Sequence, residues 1–155
     1  MSTPSTIREQ LLGAWTLAEY VETEVNSCSV HHPLGESPLG IIMYTADGYM
    51  SAQLQRRDRV PFAGNDMFRG EASEYLAAGS TYLGYSGRFI VDEAAHVVSH
   101  HADVSFFPNW FGQTVTRVAK FEGDDSLILA TERPQRFNGT MKIARLRWQR
   151  AISNR

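Results

Sequence analysis

Apolar and polar residues alternate with a period of two through most of this chain, the pattern of strands that bury one face. Val97–Phe107 shows it most clearly. Val98, His100, Ala102, Val104 and Phe106 fall on one face, and Ser99, His101, Asp103 and Ser105 on the other. The same period predicts strands over Ala14–Glu24, Leu39–Thr45, Tyr49–Gln55, Thr81–Val91, Gln113–Phe121, Leu127–Thr131 and Gly139–Gln149. In the first of these it sets Trp15, Leu17 and Val21 against Thr16, Ala18, Tyr20 and Glu22. In Tyr49–Gln55 it sets Met50, Ala52 and Leu54 against Ser51 and Gln53.

The connections read as turns between neighbours. Asp47-Gly48 carries the positive-φ residue that a tight hairpin needs, and Gly84 and Gly87 inside Thr81–Val91 predict a bulge or a bend. Ile7–Leu12 is a short helix leading into Gly13, and Ser73–Ala78 a second one behind a Ser N-cap, expected to lie across one end. Ser27–Pro38 is a long polar loop. About eight strands joined in sequence predict an all-β fold, an up-and-down antiparallel β-barrel, as one domain over residues 1–155. Eight is the strand number that encloses one small ligand.

Composition narrows the function classes. With 155 residues and a net charge of −2 of mixed sign, the chain lacks the basic footprint of a nucleic-acid binder. No apolar run approaches a membrane span, so neither nucleic acid nor membrane is an expected partner. A homodimer is compatible with these totals. The opening Met1–Trp15 lacks the pattern of a secretory signal, and the single Cys28 allows no internal disulfide, which together predict a cytoplasmic protein. The histidines have no metal-ligand spacing, and no phosphate-cradling glycine loop or nucleophile motif occurs, so no metal or cofactor is expected.

Several stretches then fall into a familiar order: Leu12-Gly13-Ala14-Trp15, Pro38–Ser51, Tyr85-Ser86-Gly87-Arg88-Phe89, His100-His101, Phe107-Pro108-Asn109-Trp110 and Arg147-Trp148. At these spacings the chain resembles the small bacterial and fungal lipocalin-like domain proteins over nearly its whole length. The resemblance implies a calycin-type barrel with an apolar interior, Trp15 packed at the closed end, and Arg147 or Arg150 stacked on it by cation–π contact. It also implies a small hydrophobic ligand, aromatic or polyketide-like. Some members in biosynthetic clusters act as cyclases or isomerases, so fold alone leaves carrier and catalyst both open.

The candidate chemistry lies on the strand faces. His100, among Val98, Ala102 and Val104, suits a general acid or base or a hydrogen-bonded core histidine. The rival is the opposite face, where Asp103 could orient His101. Tyr44 and Tyr85 are candidate proton carriers beside His100, for a cofactor-free cyclisation or isomerisation. Tyr20 offers a ring and a hydroxyl to an aromatic ligand. Ser51 and Gln53 become ligand partners if their face points inward, and Phe106 and Trp110 are candidate lining residues. Arg88 and Arg117 sit mid-strand, where an arginine answers to a ligand carboxylate, a buried partner or the solvent.

Overall fold

The computed structural model describes residues 3–155. Eight long strands close an antiparallel barrel: β1 (Gly13–Glu24), β3 (Leu39–Tyr44), β4 (Tyr49–Gln55), β5 (Tyr82–Asp92), β6 (Val97–Ser105), β7 (Thr114–Phe121), β8 (Ser126–Thr131) and β10 (Thr140–Arg150). Each pairs with its neighbour in this order, and β1 pairs with both β3 and β10 to close the ring. Two short strands, β2 (Val30–His31) and β9 (Gln135–Phe137), add to β1 and β10. Closure leaves no long unpaired edge among the described strands, which is how an up-and-down meander of this length avoids edge association.

The two ends of the barrel differ. At one end, helix α1 (Ile7–Leu11) buries Ile7 and Leu11 against the core. Its start is fixed by a capping box: the Glu9 amide donates to Thr6 Oγ1 at 3.1 Å, and the Thr6 amide donates to Glu9 Oε2 at 2.9 Å. Glu93, in the β5–β6 turn, accepts the amides of Ile7 and Arg8 at 2.7 and 3.0 Å. These bonds also complement the positive end of the helix. Behind α1 lies Trp15, fully buried, with its indole N–H donating to Leu11 O at 2.9 Å. The Arg150 guanidinium stacks 4.1 Å over the Trp15 ring and donates to Leu12 O and Gln10 O. Arg150 therefore takes the stacking position, while Arg147 pairs with Glu122 at 3.1 Å.

The second helix departs from expectation. It runs over Ala72–Gly79 with Glu71, not Ser73, at its N-cap, because Glu74 reaches back to the Glu71 amide. None of its residues is buried. It therefore does not seal an end, and the closing helix is α1. Opposite α1, the connections rich in aromatic side chains, a 3₁₀ turn over Pro108–Trp110 and the β9 segment, stand around an opening.

Two bulges break the simple alternation and decide which residues face inward. In β1 the register to β10 slips between Leu17 and Glu19. Trp15 and Leu17 point in, and after the slip so do Tyr20 and Glu22, while Val21 moves out of the fully buried set. In β6 the register to β5 slips at Asp103, between the pairs Gly87–Ala102 and Ser86–Val104. Val98, His100 and Ala102 are fully buried, but Val104 and Phe106 turn outward and are 62% and 50% exposed. Glycine at position 87 permits this, since a Cβ there would overlap the His101 carbonyl oxygen and press on the Asp103 amide.

Candidate functional site

Between the aromatic opening and the core lies a cavity of about 410 Å³. That is the size range of a pocket for one small ligand. Its walls are largely apolar, with Ile42, Leu54, Leu83, Leu129 and Trp148 among them. Phe107 and Trp110 stand at the mouth on one side, and Gln135–Asn138 on the other. Trp110 meets the Tyr85 ring edge-on at 5.2 Å, so the mouth is continuous with the polar floor.

His100 forms the centre of that floor. Burial of Val98 and Ala102 on the same side of β6 fixes its direction, and the imidazole is wholly buried. Tyr44 Oη lies 2.8 Å from Nε2, and Tyr85 Oη lies 2.9 Å from Nδ1. A neutral imidazole has one donor and one acceptor nitrogen. Neither hydroxyl has a second acceptor among the described hydrogen bonds, but Tyr85 lines the cavity and Tyr44 does not, so we assign Tyr44 as the donor to Nε2. Nδ1–H then donates to Tyr85 Oη, which leaves the Tyr85 hydroxyl hydrogen free. This tautomer places the spare hydrogen on Tyr85, which lines the cavity. The other would strand it on the buried Tyr44, at the cost of an unsatisfied donor.

The electrostatics keep this trio uncharged. Burial pushes the His100 imidazole from its ordinary 6.5 down to about 3, and the Arg117 guanidinium adds to the effect. Burial raises Tyr85, and Arg117 offsets part of that. Tyr44 is held well above the ordinary phenol range by burial and by Tyr85, against the pull of Arg117. A stability consequence follows. The unfolded chain binds a proton at His100 near pH 6.5, whereas the folded chain does so only near pH 3. Stability from this group is complete above pH 6.5 and falls at about 1.4 kcal/mol per pH unit on acidification between those values. A His100→Gln variant is expected to flatten that acid limb, read from urea unfolding at pH 7 and pH 5. Equal slopes in both proteins would show that another group sets it.

A second polar cluster lies beside the first. Tyr20 Oη donates to Glu22 Oε1 at 2.7 Å, and Lys142 Nζ lies 3.6 Å from Glu22 Oε2. All three side chains are buried. Burial, then the neighbouring Glu22, raises Tyr20. Arg117 enters from β7 opposite Val98 and Thr131 and donates from a terminal guanidinium nitrogen to Thr116 O at 2.8 Å. The Trp148 indole N–H is buried with no acceptor among the described residues.

The structure thus brings together His100, Tyr85, Tyr44, Tyr20, Trp110 and Arg117. It does not bring Ser51, Gln53, Arg88 or Phe106 to the cavity. Met50, Ala52 and Leu54 occupy the inner face of β4 at 2–3% exposure, so alternation turns Ser51 and Gln53 outward, where Ser51 bonds Ser86 and Gln53 bonds Tyr82. Arg88 lies outside and pairs with Asp103 at 3.2 Å. His101 shares that outer face, 3.8 Å from Asp103, so this pair is a surface contact of small value. Phe106 is carried outward by the Asp103 bulge and packs on Tyr82. Sequence reasoning did not assign Glu22, Lys142, Phe107 or Trp148 to the site. An acid and a lysine on strands of one barrel are a detectable signal, but only the β1 slip makes Glu22 an inward residue.

The profile of the lipocalin-like domain family matches residues 12–151. A protein of Aspergillus oryzae named as a 4'-hydroxy-3'-methoxypropiophenone carrier protein is 35% identical over 107 residues, covering 65% of this chain and 96% of that relative. No helix among the described residues is long and apolar enough to cross a membrane.

Proposed function

Because the chain belongs to the lipocalin-like domain family, we propose that it holds a small aromatic molecule, of the acylphenol type named for its relative, inside the barrel as a carrier. The observation that carries this reading is the cavity itself, apolar in its walls, open between Trp110 and Phe137, and provided with a few buried hydrogen-bonding groups at its floor. An aromatic body would lie against Leu129 and Trp148, and the free Tyr85 hydroxyl hydrogen would meet a ligand oxygen.

A cofactor-free cyclisation or isomerisation driven by His100 has less support. A general base needs a free nitrogen and a pKa near the working pH. Both His100 nitrogens are engaged by tyrosines, and its imidazole is far less basic than usual. We therefore read Tyr44, His100 and Tyr85 as a rigid hydrogen-bonding post.

The test is binding of 4'-hydroxy-3'-methoxypropiophenone to the purified chain, followed by tryptophan fluorescence. Micromolar binding at one site is expected for a cavity this size, about −8 kcal/mol. An Ala144→Phe variant places a ring in the cavity from a residue that is 2% exposed. It should fold, at a cost of about 1–3 kcal/mol, and lose at least about tenfold in affinity through displaced ligand volume. Undiminished binding by the folded variant would put the ligand elsewhere.

A further inference from the structure

We infer that the cavity takes its ligand as an anion, with an ionised oxygen on an aromatic body lying against the Arg117 guanidinium. The inference rests on the carrier reading above and adds the charge state of what is carried.

Among the described residues, three buried side chains bring formal charge into the barrel: Glu22, Lys142 and Arg117. Glu22 and Lys142 offset one another as a pair, and Tyr20 satisfies the remaining carboxylate oxygen. Arg117 is left over. It is 8% exposed and lines the cavity, yet no carboxylate among the described residues lies within salt-bridge distance of it. Its one hydrogen bond among the described residues goes to the carbonyl of the adjacent Thr116. A guanidinium has five donors in a planar fork, so most of its hydrogen-bonding capacity meets no protein acceptor.

A buried cation without a partner is unfavourable unless something else compensates it. A neighbouring group sharpens the demand. In the tautomer assigned to His100, Tyr85 offers its hydroxyl hydrogen to the cavity it lines. The cavity therefore presents an unpaired positive charge together with the donors of Arg117 and Tyr85. Its complement is a molecule with acceptor oxygens, at least one of them ionised. A phenol acidified by a conjugated acyl group fits, and so does an aryl carboxylate.

The pH dependence of binding then belongs to the ligand. The titratable groups that line the cavity with Arg117 are Tyr20 and Glu22 from β1, Tyr85 from β5 and His100 from β6, with Arg136 at the mouth, Tyr44 from β3 bonded to His100 and Lys142 from β10 paired with Glu22. Burial keeps the three tyrosines protonated and His100 neutral from about pH 5 to 9. Affinity for an acidic phenol should accordingly be greatest above the ligand's own pKa and fall below it as the anion becomes scarce.

Three probes test this on the full chain: 4'-hydroxy-3'-methoxypropiophenone, its phenol O-methyl ether, and an arylpropanoic acid without a phenol. Ionisation moves the acylphenol absorbance to longer wavelength, so the bound species can be seen directly. One pH unit below the probe's own pKa, the bound acylphenol is expected to show the phenolate band, and the ether to bind about 100-fold more weakly. Arg117→Met should abolish the phenolate band and cost the acylphenol about 100-fold, with little change for the ether. Arg117→Lys, which keeps the charge, should retain the band. Folding is not at risk in Arg117→Met, whose unliganded Tm should rise because an unpaired buried charge is removed.

Tight, Arg117-dependent binding of the arylpropanoic acid, with the acylphenol bound in its neutral form, would also support the inference and assign the anion as a carboxylate. Equal binding of acylphenol and ether, a neutral bound spectrum and no effect of Arg117→Met on any probe would overturn the inference and leave the carrier reading standing. Failure of all three probes to bind the native chain would remove the carrier reading and the inference with it.

Discussion

A Lys142→Met variant is expected to lose about 3–5 kcal/mol of folding stability, the largest of the effects foreseen for any single charge in this protein. Lys142 and Glu22 are 4% and 6% exposed at their side chains, and their charged atoms lie 3.6 Å apart. The net worth of such a pair against apolar residues of the same size is small, because both ions were removed from water to form it. Removing one partner is different. It leaves the Glu22 carboxylate buried with the Tyr20 hydroxyl as its one hydrogen-bond donor among the described residues. The double variant Glu22→Gln/Lys142→Met should recover most of the loss, since the amide side chain brings no charge and its oxygen can still accept from Tyr20. Urea unfolding of the single and double variants measures this. Should the double variant prove no more stable than the single one, the loss would lie in packing at Lys142 rather than in a stranded charge.

Trp15→Ala should cost a similar amount, about 3–5 kcal/mol, for a different reason. Trp15 is wholly buried at the closed end, between Leu11, Phe121 and the Arg150 guanidinium. Truncation removes the largest apolar surface at that end and leaves a void that α1 cannot fill, being held by its capping box and by Glu93. It also removes the donor to Leu11 O and the face on which Arg150 stacks. For a domain of this size the loss corresponds to about 6–20 °C in Tm. Trp15→Phe, which keeps an aromatic face for Arg150, should recover part of it. A fall in Tm of less than about 2 °C in Trp15→Ala would show that α1 and Arg150 can collapse into the space. Trp15 does not line the cavity, so ligand affinity at low temperature should hold in both of its variants, which separates stability from binding.

The alternation of the strands made most of the barrel legible, because a residue's side along a strand is set by parity and a one-sided apolar pattern leaves little choice of face. Leu39–Tyr44 with Tyr49–Gln55, and Thr114–Phe121 with Ser126–Thr131, form where that pattern puts them. The motifs around Trp15 likewise pointed to a closed end, whereas the Phe107–Trp110 corner supplied only Trp110 as a candidate lining residue, and its place at the mouth came from the structure. Parity fails at two residues, Ala18 and Asp103, where one strand carries an extra residue relative to its partner. No local signal marked Ala18. For Asp103 the mark was indirect, a glycine at position 87 on the facing strand, whose meaning depends on which residues stand opposite it.

The sequence by itself determined the barrel and the shortlist containing His100, Tyr44, Tyr85 and Arg117, and its family motifs placed an arginine on Trp15. These follow from period, spacing and residue type, which are properties of the chain. Only the tertiary structure decided that His100 points inward between two tyrosines while His101 and Asp103 lie outside. It also decided that Ser51, Gln53, Arg88 and Phe106 face away from the cavity, and that Glu22 meets Lys142 and leaves Arg117 unpaired among the described residues. The reason is that each of these is a relation between strands distant in sequence. Such relations depend on register, and register is set by closing the whole ring rather than by any one strand within it.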